Sequence, residues 1–314
     1  MISFKNISKQ YKNNVALEKI NLNIKSHEFF VLVGPSGSGK TTLLKMINRL
    51  NVPTSGEIII DGQNIADIKD LKSFRRQIGY VLQSGALFPN LTVAQNIELT
   101  LDLDKISLKD KNYKIRDMLK KVNLDPNDFM NRMPNELSGG EAQRVGIVRA
   151  LIFDPKIILM DEPFSALDPL ARRQLQKLVL ALHQEFKTTI VFVTHDMQEA
   201  LNLSSRLAIL NNGFIQQVGT PDELINQPAN NFVANFFYNA DTEKDYIKSI
   251  LDAGLGNPVN TREKGNQYLK VTDTIYELAK TLQLSEDNTV IVNDQQLTTS
   301  DLMQYLSLQA ETKL

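Results

Sequence analysis

Apolar and polar residues alternate along the first part of the chain. The apolar positions are Ile2, Phe4, Ile7, Leu22 and Ile24. This alternation is typical of half-buried strands, so we expect two antiparallel strands here. Residues 29–33 are apolar throughout and predict a fully buried strand. In 42–47 the apolar residues recur at helical spacing, which predicts a strand, a short loop and a helix in succession.

Two further apolar runs, 157–160 and 190–193, also have the length of buried strands. All these runs fall far short of the roughly 18 residues that a membrane-spanning helix needs. The amino-terminal residues lack the charged and then apolar layout of a secretory signal. We therefore expect a protein that does not cross the membrane and stays in the cytosol unless a membrane partner holds it.

Composition narrows the class of protein. Of the 314 residues, 42% are hydrophobic and 23% are charged, as in ordinary globular proteins. The net charge of -1 gives no general attraction to nucleic acid, and we predict no nucleic-acid partner. The chain has no cysteine, which excludes disulfides and thiolate metal sites. Its length suggests one large domain with a smaller one, or two domains.

A glycine-rich loop joins the buried strand at 29–33 to the helix that follows. Its candidate nucleotide-binding residues are Gly34, Pro35, Ser36, Gly37, Ser38, Gly39, Lys40, Thr41 and Thr42. Glycines let the backbone N–H groups surround phosphate oxygens at a helix start. Lys40 supplies a charge for the β and γ phosphates, and the Thr41 hydroxyl is a natural Mg²⁺ ligand. This context predicts a phosphate-binding loop for ATP.

A pair of carboxylates, Asp161 and Glu162, follows the second buried run, and Pro163 then ends the strand. Asp161 can hold Mg²⁺, directly or through water, and Glu162 can orient or deprotonate an attacking water. Alone, such a pair could equally be a solvated turn. Because it follows a phosphate loop, we favour the functional interpretation.

Between these motifs, Leu137 is followed by Ser138, Gly139, Gly140 and Glu141. This segment resembles the signature LSGGQ of the ATP-binding cassette family, with Glu141 where the family more often has glutamine. Its serine and glycines at a helix start suit a phosphate, and in the family that phosphate belongs to ATP held by the partner subunit. The resemblance therefore implies that Ser138, Gly139, Gly140 and Glu141 bind nucleotide across a dimer.

Other family motifs follow in the family order. By resemblance, Tyr11 stacks on adenine, Gln83 senses Mg²⁺ and the transport subunit, and residues 165–168, with Asp168 in the nucleotide site, meet the partner. His195 matches the switch histidine that contacts the γ phosphate. The resemblance implies Glu162, His195 and Gln83 as catalytic residues and Thr41, Gln83 and Asp161 as Mg²⁺ ligands.

The resemblance covers about residues 1–236 and implies an α/β fold. This fold is a P-loop NTPase core of the cassette type with an antiparallel β flank and an inserted helical subdomain near 85–155. Two ATP molecules would lie between two head-to-tail copies. The family also contains soluble machines of translation and DNA repair. One cassette without a long heptad stretch favours a transport subunit over these.

Residues 78–83 and 87–93, and the segments that begin at Pro221 and Pro228, resemble the quaternary-amine branch of the family, which imports glycine betaine, carnitine or choline. A polar amino-acid importer is the closest alternative. The implied partners are a second ATP-binding subunit, transmembrane permease subunits and a substrate-binding protein. The implied location is the cytoplasmic face of a bacterial membrane.

Residues 237–314 differ in character, and 241–314 contain 7 basic and 12 acidic residues. A helix over 274–282, a strand over 289–292 and a turn at 293–294 predict a small α+β domain. It resembles a truncated regulatory module of the cystathionine β-synthase (CBS) type, in which Thr298 and Asp301 would contact a nucleotide. Gln296 stands where that module usually has glycine. A helix cap before 302–306 is the alternative, and we favour it.

Overall fold

The computed structural model describes residues 1–12, 14–83, 85–101, 107–241, 247–258, 268–269, 275–285, 287–292 and 295–312. The chain divides into two compact units, Met1–Ala234 and Asn235–Leu314. The strands are β1 (Ile2–Tyr11), β2 (Asn14–Ile24), β3 (Phe29–Val33), β4 (Ser55–Ile60), β5 (Gln63–Asn64), β6 (Ile78–Val81), β7 (Ile157–Asp161), β8 (Thr189–Thr194), β9 (Arg206–Asn211), β10 (Phe214–Gly219), β11 (Asn257–Pro258), β12 (Tyr268–Leu269), β13 (Thr289–Val292) and β14 (Gln295–Thr298).

The α-helices are α1 (Lys40–Ile47), α2 (Leu71–Arg76), α3 (Val93–Leu101), α4 (Leu108–Lys121), α5 (Pro126–Phe129), α6 (Gly139–Leu151), α7 (Pro169–Phe186), α8 (Met197–Leu203), α9 (Pro221–Asn226), α10 (Asn231–Asp241), α11 (Ile247–Asp252), α12 (Ile275–Leu284) and α13 (Thr299–Thr312). Among the described residues, none of these helices is long and apolar enough to cross a membrane.

The amino-terminal strands form an antiparallel sheet in the order β2-β1-β4-β5. Ile2 and Phe4 of β1 are buried and Lys5 is exposed, because alternate residues of a strand point to opposite faces. A register shift between Phe4 and Ile7 interrupts this alternation, and Ile7 is buried too. Leu22 and Ile24 of β2 are buried as well. The predicted antiparallel flank is therefore confirmed.

The second sheet has six strands in the order β10-β9-β3-β8-β7-β6. Its strands from β9 to β6 are parallel, and β10 pairs with β9 in antiparallel fashion. All five residues of β3 and all six of β8 are buried, because helices cover both faces of a parallel sheet. This confirms the three buried strands that the apolar runs predict.

Helices α3 to α6 lie between β6 and β7 in the chain, within the segment predicted to hold an inserted helical subdomain. Helix α6 packs tightly on β6: a Cβ atom placed on Gly79 would lie 2.5 Å from the backbone oxygen of Ala150. A side chain at position 79 would therefore separate the helix from the sheet.

The carboxy-terminal unit has its own sheet, in the order β11-β14-β13-β12. Its helix Ile275–Leu284 and strand Thr289–Val292 agree with the elements predicted there, and the predicted turn at 293–294 lies outside the described residues. The unit has a separate buried core that includes Leu278, Val290 and Leu297. The α+β character is confirmed, whereas the resemblance to the CBS module stays a prediction.

Candidate nucleotide-binding site

The carboxyl ends of the central strands bring distant motifs to one edge of the sheet. Val33 pairs with Thr194, and Asp161 pairs with Val193, so β3, β7 and β8 end level with one another. The next residues, Gly34, Glu162 and His195, therefore leave the sheet at the same edge. Ligands of open α/β sheets bind at this edge.

The phosphate loop requires glycine at two positions. A Cβ atom at Gly34 would lie 2.0 Å from the backbone oxygen of Leu210. At Gly39, where φ is 102°, a Cβ atom would lie 2.5 Å from Leu17 Cδ2. The loop therefore presses against the strands on both sides, and its φ angles are ones that L side chains rarely adopt. Gly39 immediately precedes α1, whose first N–H groups are available to an anion.

Lys40 lies buried inside this loop. Its ammonium group donates hydrogen bonds of 2.8 Å to the backbone oxygens of Gly34 and Pro35. Burial lowers the pKa of Lys40, and the charges of Glu162 and Asp161 oppose that change. The hydroxyl of Ser38 is also buried and has no hydrogen-bond partner among the described residues. The loop thus holds a cation and an unused hydroxyl, which suits a phosphate.

Asp161 and Thr41 form an oxygen cluster at the start of α1. Thr41 Oγ1 donates a hydrogen bond of 2.8 Å to Asp161 Oδ1, and Tyr80 donates one of 3.3 Å to Asp161 Oδ2. Lys45 Nζ lies 3.9 Å from the same Oδ2 atom. Mg²⁺ prefers oxygen ligands and commonly takes only one or two from the protein, with water and phosphate supplying the rest. Thr41 and Asp161 fit this requirement.

Glu162 and His195 meet directly. His195 Nδ1 lies 3.0 Å from Glu162 Oε2, and the side chain of His195 is about half exposed. The backbone of Glu162 has φ 46°, the left-handed region that non-glycine residues rarely occupy. Its N–H donates to the oxygen of Val193 at 3.0 Å, which fixes this turn. A carboxylate and an imidazole in contact at a sheet edge can together orient a water molecule.

Gln83 reaches the same turn through Ser165. Its Nε2 donates to Ser165 Oγ at 2.9 Å, and that hydroxyl donates to the oxygen of Glu162 at 3.0 Å. Helix α6 holds the segment around Gln83, since Gln143 donates to Leu82 O at 3.0 Å. The predicted Mg²⁺ ligand Gln83 thus lies next to Glu162 and is bonded to Ser165 rather than to Asp161.

The signature segment begins α6 with a reciprocal cap. Glu141 N donates to Ser138 Oγ at 3.3 Å, and Ser138 N donates to Glu141 Oε2 at 2.7 Å. The Asp168 carboxylate caps α7 by accepting from the N–H groups of Leu170 and Ala171. Both helix starts line an open cavity of about 340 Å³. Gly139 and Ser138 are exposed there.

Tyr11 lies at the end of β1 and the residue is 44% exposed, and Lys9 Nζ lies 4.8 Å from the centre of its ring. The neighbouring strand β2 contacts the phosphate loop at Gly39 through Ala16 and Leu17. The ring of Tyr11 is therefore accessible to a planar group, as the stacking role requires.

Sequence reasoning missed three partners of the site. Tyr80, Lys45 and Ser165 contact Asp161 or Glu162, but the resemblance assigns none of them such a contact. For Tyr80 a signal exists, because the hydroxyl of a buried tyrosine usually finds a hydrogen-bond partner, and a carboxylate follows the neighbouring strand. The pairing of β6 with β7 was needed to find it.

A parallel sheet with a phosphate loop at its edge, a carboxylate pair and an inserted helical region defines a P-loop nucleotide-binding cassette. The sequence profile of the family described as "ABC transporter" matches residues 17–165. The chain is 42% identical over 274 residues to the glycine betaine/proline betaine transport system ATP-binding protein ProV of Salmonella typhimurium, covering 83% of this chain and 68% of that protein. This chain belongs to the ABC transporter family.

Two further similarities extend this result. The chain is 48% identical over 237 residues to the choline transport ATP-binding protein OpuBA of Bacillus subtilis, covering 75% of this chain and 62% of that protein. The chain thus covers less than two thirds of that relative's length. A dimeric structure of the ATP-binding cassette MJ0796, in a post-hydrolysis state bound to ADP and Pi, matches with a TM-score of 0.65 and 39% identity over 70% of this chain and 99% of that one.

Proposed function

We propose that this chain is the ATP-hydrolysing subunit that powers import of a quaternary-amine osmoprotectant, such as glycine betaine, carnitine or choline, through a separate membrane permease. The contact between Glu162 and His195, beside the buried Lys40 and the pair Thr41–Asp161, carries the proposal of hydrolysis. Similarity to choline and betaine transport proteins supports the cargo class.

In the proposed reaction, water attacks the γ phosphorus in line with the leaving ADP. Lys40 and the loop N–H groups bind the phosphates, and Glu162 accepts the proton of the attacking water. His195 holds Glu162 and the water in place. Thr41 and Asp161, with Gln83 after release from Ser165, would hold Mg²⁺, which would supply positive charge to offset that of the phosphates.

The site requires a second copy of the chain. Ser138 and Gly139 are exposed and Gly140 and Glu141 are partly buried at a helix start, where the four residues can face ATP held by the phosphate loop of a partner. The dimeric cassette bound to ADP and Pi supports this arrangement. In the full assembly, transmembrane permease subunits would hold this chain at the cytoplasmic face of a bacterial membrane, and a substrate-binding protein would complete the complex.

The carboxy-terminal unit contributes no nucleotide site in this proposal. Thr298 Oγ1 donates to Asp301 Oδ2 at 2.6 Å, and Asp301 N donates back to Thr298 Oγ1 at 3.3 Å. These bonds cap the start of α13. A nucleotide would have to break them, which favours the cap over the ribose-contacting role.

The test of hydrolysis is the substitution Glu162→Gln in the full chain. Glutamine keeps the size of the side chain but cannot accept a proton, so we expect kcat to fall by roughly 10²- to 10⁴-fold. ATP affinity should stay unchanged, because the phosphate loop is intact. Phosphate release measures turnover and calorimetry measures binding. Turnover at the wild-type rate would remove Glu162 from the role of base.

The cargo class needs a separate test. Coexpression of the chain with each candidate permease and its binding protein, followed by uptake of radiolabelled choline and of a polar amino acid, distinguishes the two importer classes. Choline uptake that stops in the Glu162→Gln variant supports the proposal. Uptake of the amino acid alone contradicts it.

A further inference from the structure

A cluster of polar and charged side chains lies beside His195, outside the residues expected to touch ATP. Its members are Arg172, Gln176, Thr194, Asp196 and Glu199. Arg172 and Gln176 come from α7, and the other three come from the end of β8 and the start of α8. The cluster therefore joins the helix that follows the 165–168 loop to the turn that carries His195.

Both chain neighbours of His195 are fixed in this cluster. Thr194 Oγ1 donates to Glu199 Oε2 at 2.7 Å, and it accepts from Asp196 N at 3.0 Å. Glu199 N donates to Asp196 Oδ1 at 3.1 Å, which caps α8. Thr194 and Glu199 are almost fully buried. The backbone on either side of His195 is thus held by side chains that do not themselves reach the substrate.

Arg172 supplies the positive charge that faces this group. Its guanidinium lies 3.5 Å from Asp196 Oδ2 and 3.9 Å from Glu199 Oε1. Burial raises the pKa of Glu199, and the charge of Asp196 raises it further. The hydrogen bond from the Thr194 hydroxyl and the charge of Arg172 lower this pKa. A carboxylate that is 5% exposed needs such compensation to remain charged.

The same guanidinium also bonds the loop before α7, since Arg172 donates to Leu167 O at 3.4 Å. That loop returns to the base, because Ser165 Oγ donates to Glu162 O at 3.0 Å. Glu162 in turn lies 3.0 Å from His195. The contacts therefore close a ring that runs from Arg172 through the loop, the base and the histidine, and back through Asp196.

We propose that Arg172 is a positioning residue that holds His195 against Glu162 and links this contact to the 165–168 loop. The inference rests on the proposed function, in which Glu162 and His195 act on the attacking water. The guanidinium donates to two acceptors in different directions, Asp196 Oδ2 and Leu167 O, and its charge also faces Glu199. The planar fork of a guanidinium, with its five N–H groups, suits this arrangement. A displacement of about 1 Å at reacting groups can cost about 10²-fold in rate.

The first test compares Arg172→Met with Arg173→Met in the full chain. Arg173 is the next residue of the same helix and is exposed, so the control makes the same chemical change outside the ring. We expect kcat of Arg172→Met to fall on the order of 10- to 100-fold. The KM for ATP should change by less than about twofold, because an interaction used after binding affects kcat alone. Arg173→Met should behave as the wild type.

The second test separates positioning from general destabilisation. If Arg172 acts through His195, its replacement should cost little further activity in a His195→Gln chain, measured in single turnovers with the enzyme in excess. Two residues that act as one unit have non-additive effects. Arg172→Lys should recover part of the lost kcat, because it keeps the charge facing Asp196 and Glu199 but lacks the forked N–H groups that also bond Leu167 O.

Three results overturn the inference: equal kcat for the Arg172 and Arg173 variants, the same loss of rate with and without His195, or a wild-type kcat for Arg172→Lys. If Arg172→Met fails to fold, Arg172→Lys takes its place in both tests, and Arg173→Lys becomes the control. A wild-type chain that turns over no ATP contradicts the proposed function instead, so the two failures are distinct.

Discussion

At the scale of single residues, the site contains a strained backbone position. Glu162 adopts φ 46°, and such conformations cost about 1 kcal/mol or more for a residue with a side chain. Its N–H donates to Val193 O and its carbonyl accepts from the Ser165 hydroxyl, and these two hydrogen bonds hold the residue there. The strain therefore serves to aim the carboxylate at the edge of the sheet, next to His195.

Glu141 is a second residue whose chemistry decides the behaviour of the site. Its carboxylate accepts from Ser138 N at 2.7 Å, which completes a capping box that glutamine forms equally well. Glu141→Gln therefore keeps the cap and removes only the negative charge. In the proposed dimer this charge faces phosphate, so we expect the variant to associate more tightly in the presence of ATP, on the order of tenfold.

The Glu162→Gln substitution slows ATP hydrolysis, so sedimentation in the presence of ATP can compare the dimer affinity of this variant with and without Glu141→Gln. The control is Glu136→Gln, because Glu136 accepts from Met133 N at 2.6 Å in a similar cap a few residues earlier. The difference should shrink at high salt, since salt screens exposed charges. If Glu141→Gln and Glu136→Gln raised the dimer affinity equally, the position of the removed charge would be irrelevant and the prediction wrong.

At the scale of elements, the positions of the strands along the chain were predictable, whereas the order in which the strands pair in the sheet was not. Runs such as 29–33 and 157–160 are apolar throughout, and only a strand covered on both faces buries every residue. The bond between Thr41 and Asp161 joins residues 120 positions apart, and it depends on the order in which the strands pair. No local pattern encodes that order.

On the surface of helix α7, too, the sequence alone does not show which residues make tertiary contacts. Arg172 and Arg173 are identical in sequence terms, yet one faces Asp196 and Glu199 and the other faces solvent. The helical phase that decides this is fixed by the cap at Asp168 and by the buried residues Leu175, Val179 and Leu182. The role of Arg172 was therefore invisible until the packing of the helix was known.

The carboxyl end of α7 gives a prediction about pH. His183 packs against the Phe29 ring, and its Nε2 lies 3.2 Å from the backbone oxygen of His27. Burial lowers the pKa of His183 below the ordinary value of 6.5, although the bond to His27 opposes this change. The unfolded chain therefore binds the proton more readily, so stability present above pH 6.5 is lost as pH falls below it.

The variant His183→Gln keeps an N–H donor and cannot titrate in this range. Urea unfolding of both chains between about pH 5 and 8 should show the wild type losing stability relative to the variant on the acid side. Gln184→Ala, an exposed change in the same helical turn, serves as the control and should follow the wild type. Parallel curves for wild type and His183→Gln would contradict the assignment.

At the scale of the whole molecule, the two units have separate hydrophobic cores. The larger includes Phe4, Leu32, Leu43 and Val193, and the smaller includes Ile250, Leu282 and Tyr305. The residues of the proposed ATP site all belong to the unit Met1–Ala234. Because each unit buries its own apolar residues, the first should fold and bind ATP without the second.

This separation predicts the number of nucleotides that one chain binds. Calorimetric titration of the full Glu162→Gln chain with ATP should give one site per chain, and a chain that ends at Asp241 should give the same number and a similar affinity. The physical reason is that Thr298 and Asp301 already satisfy each other at the start of α13. Two sites in the full chain and one in the shorter chain would instead place a nucleotide in the carboxy-terminal unit. In that event Asp301→Ala in the full chain should remove the second site, because it deletes the acceptor on which that site would depend.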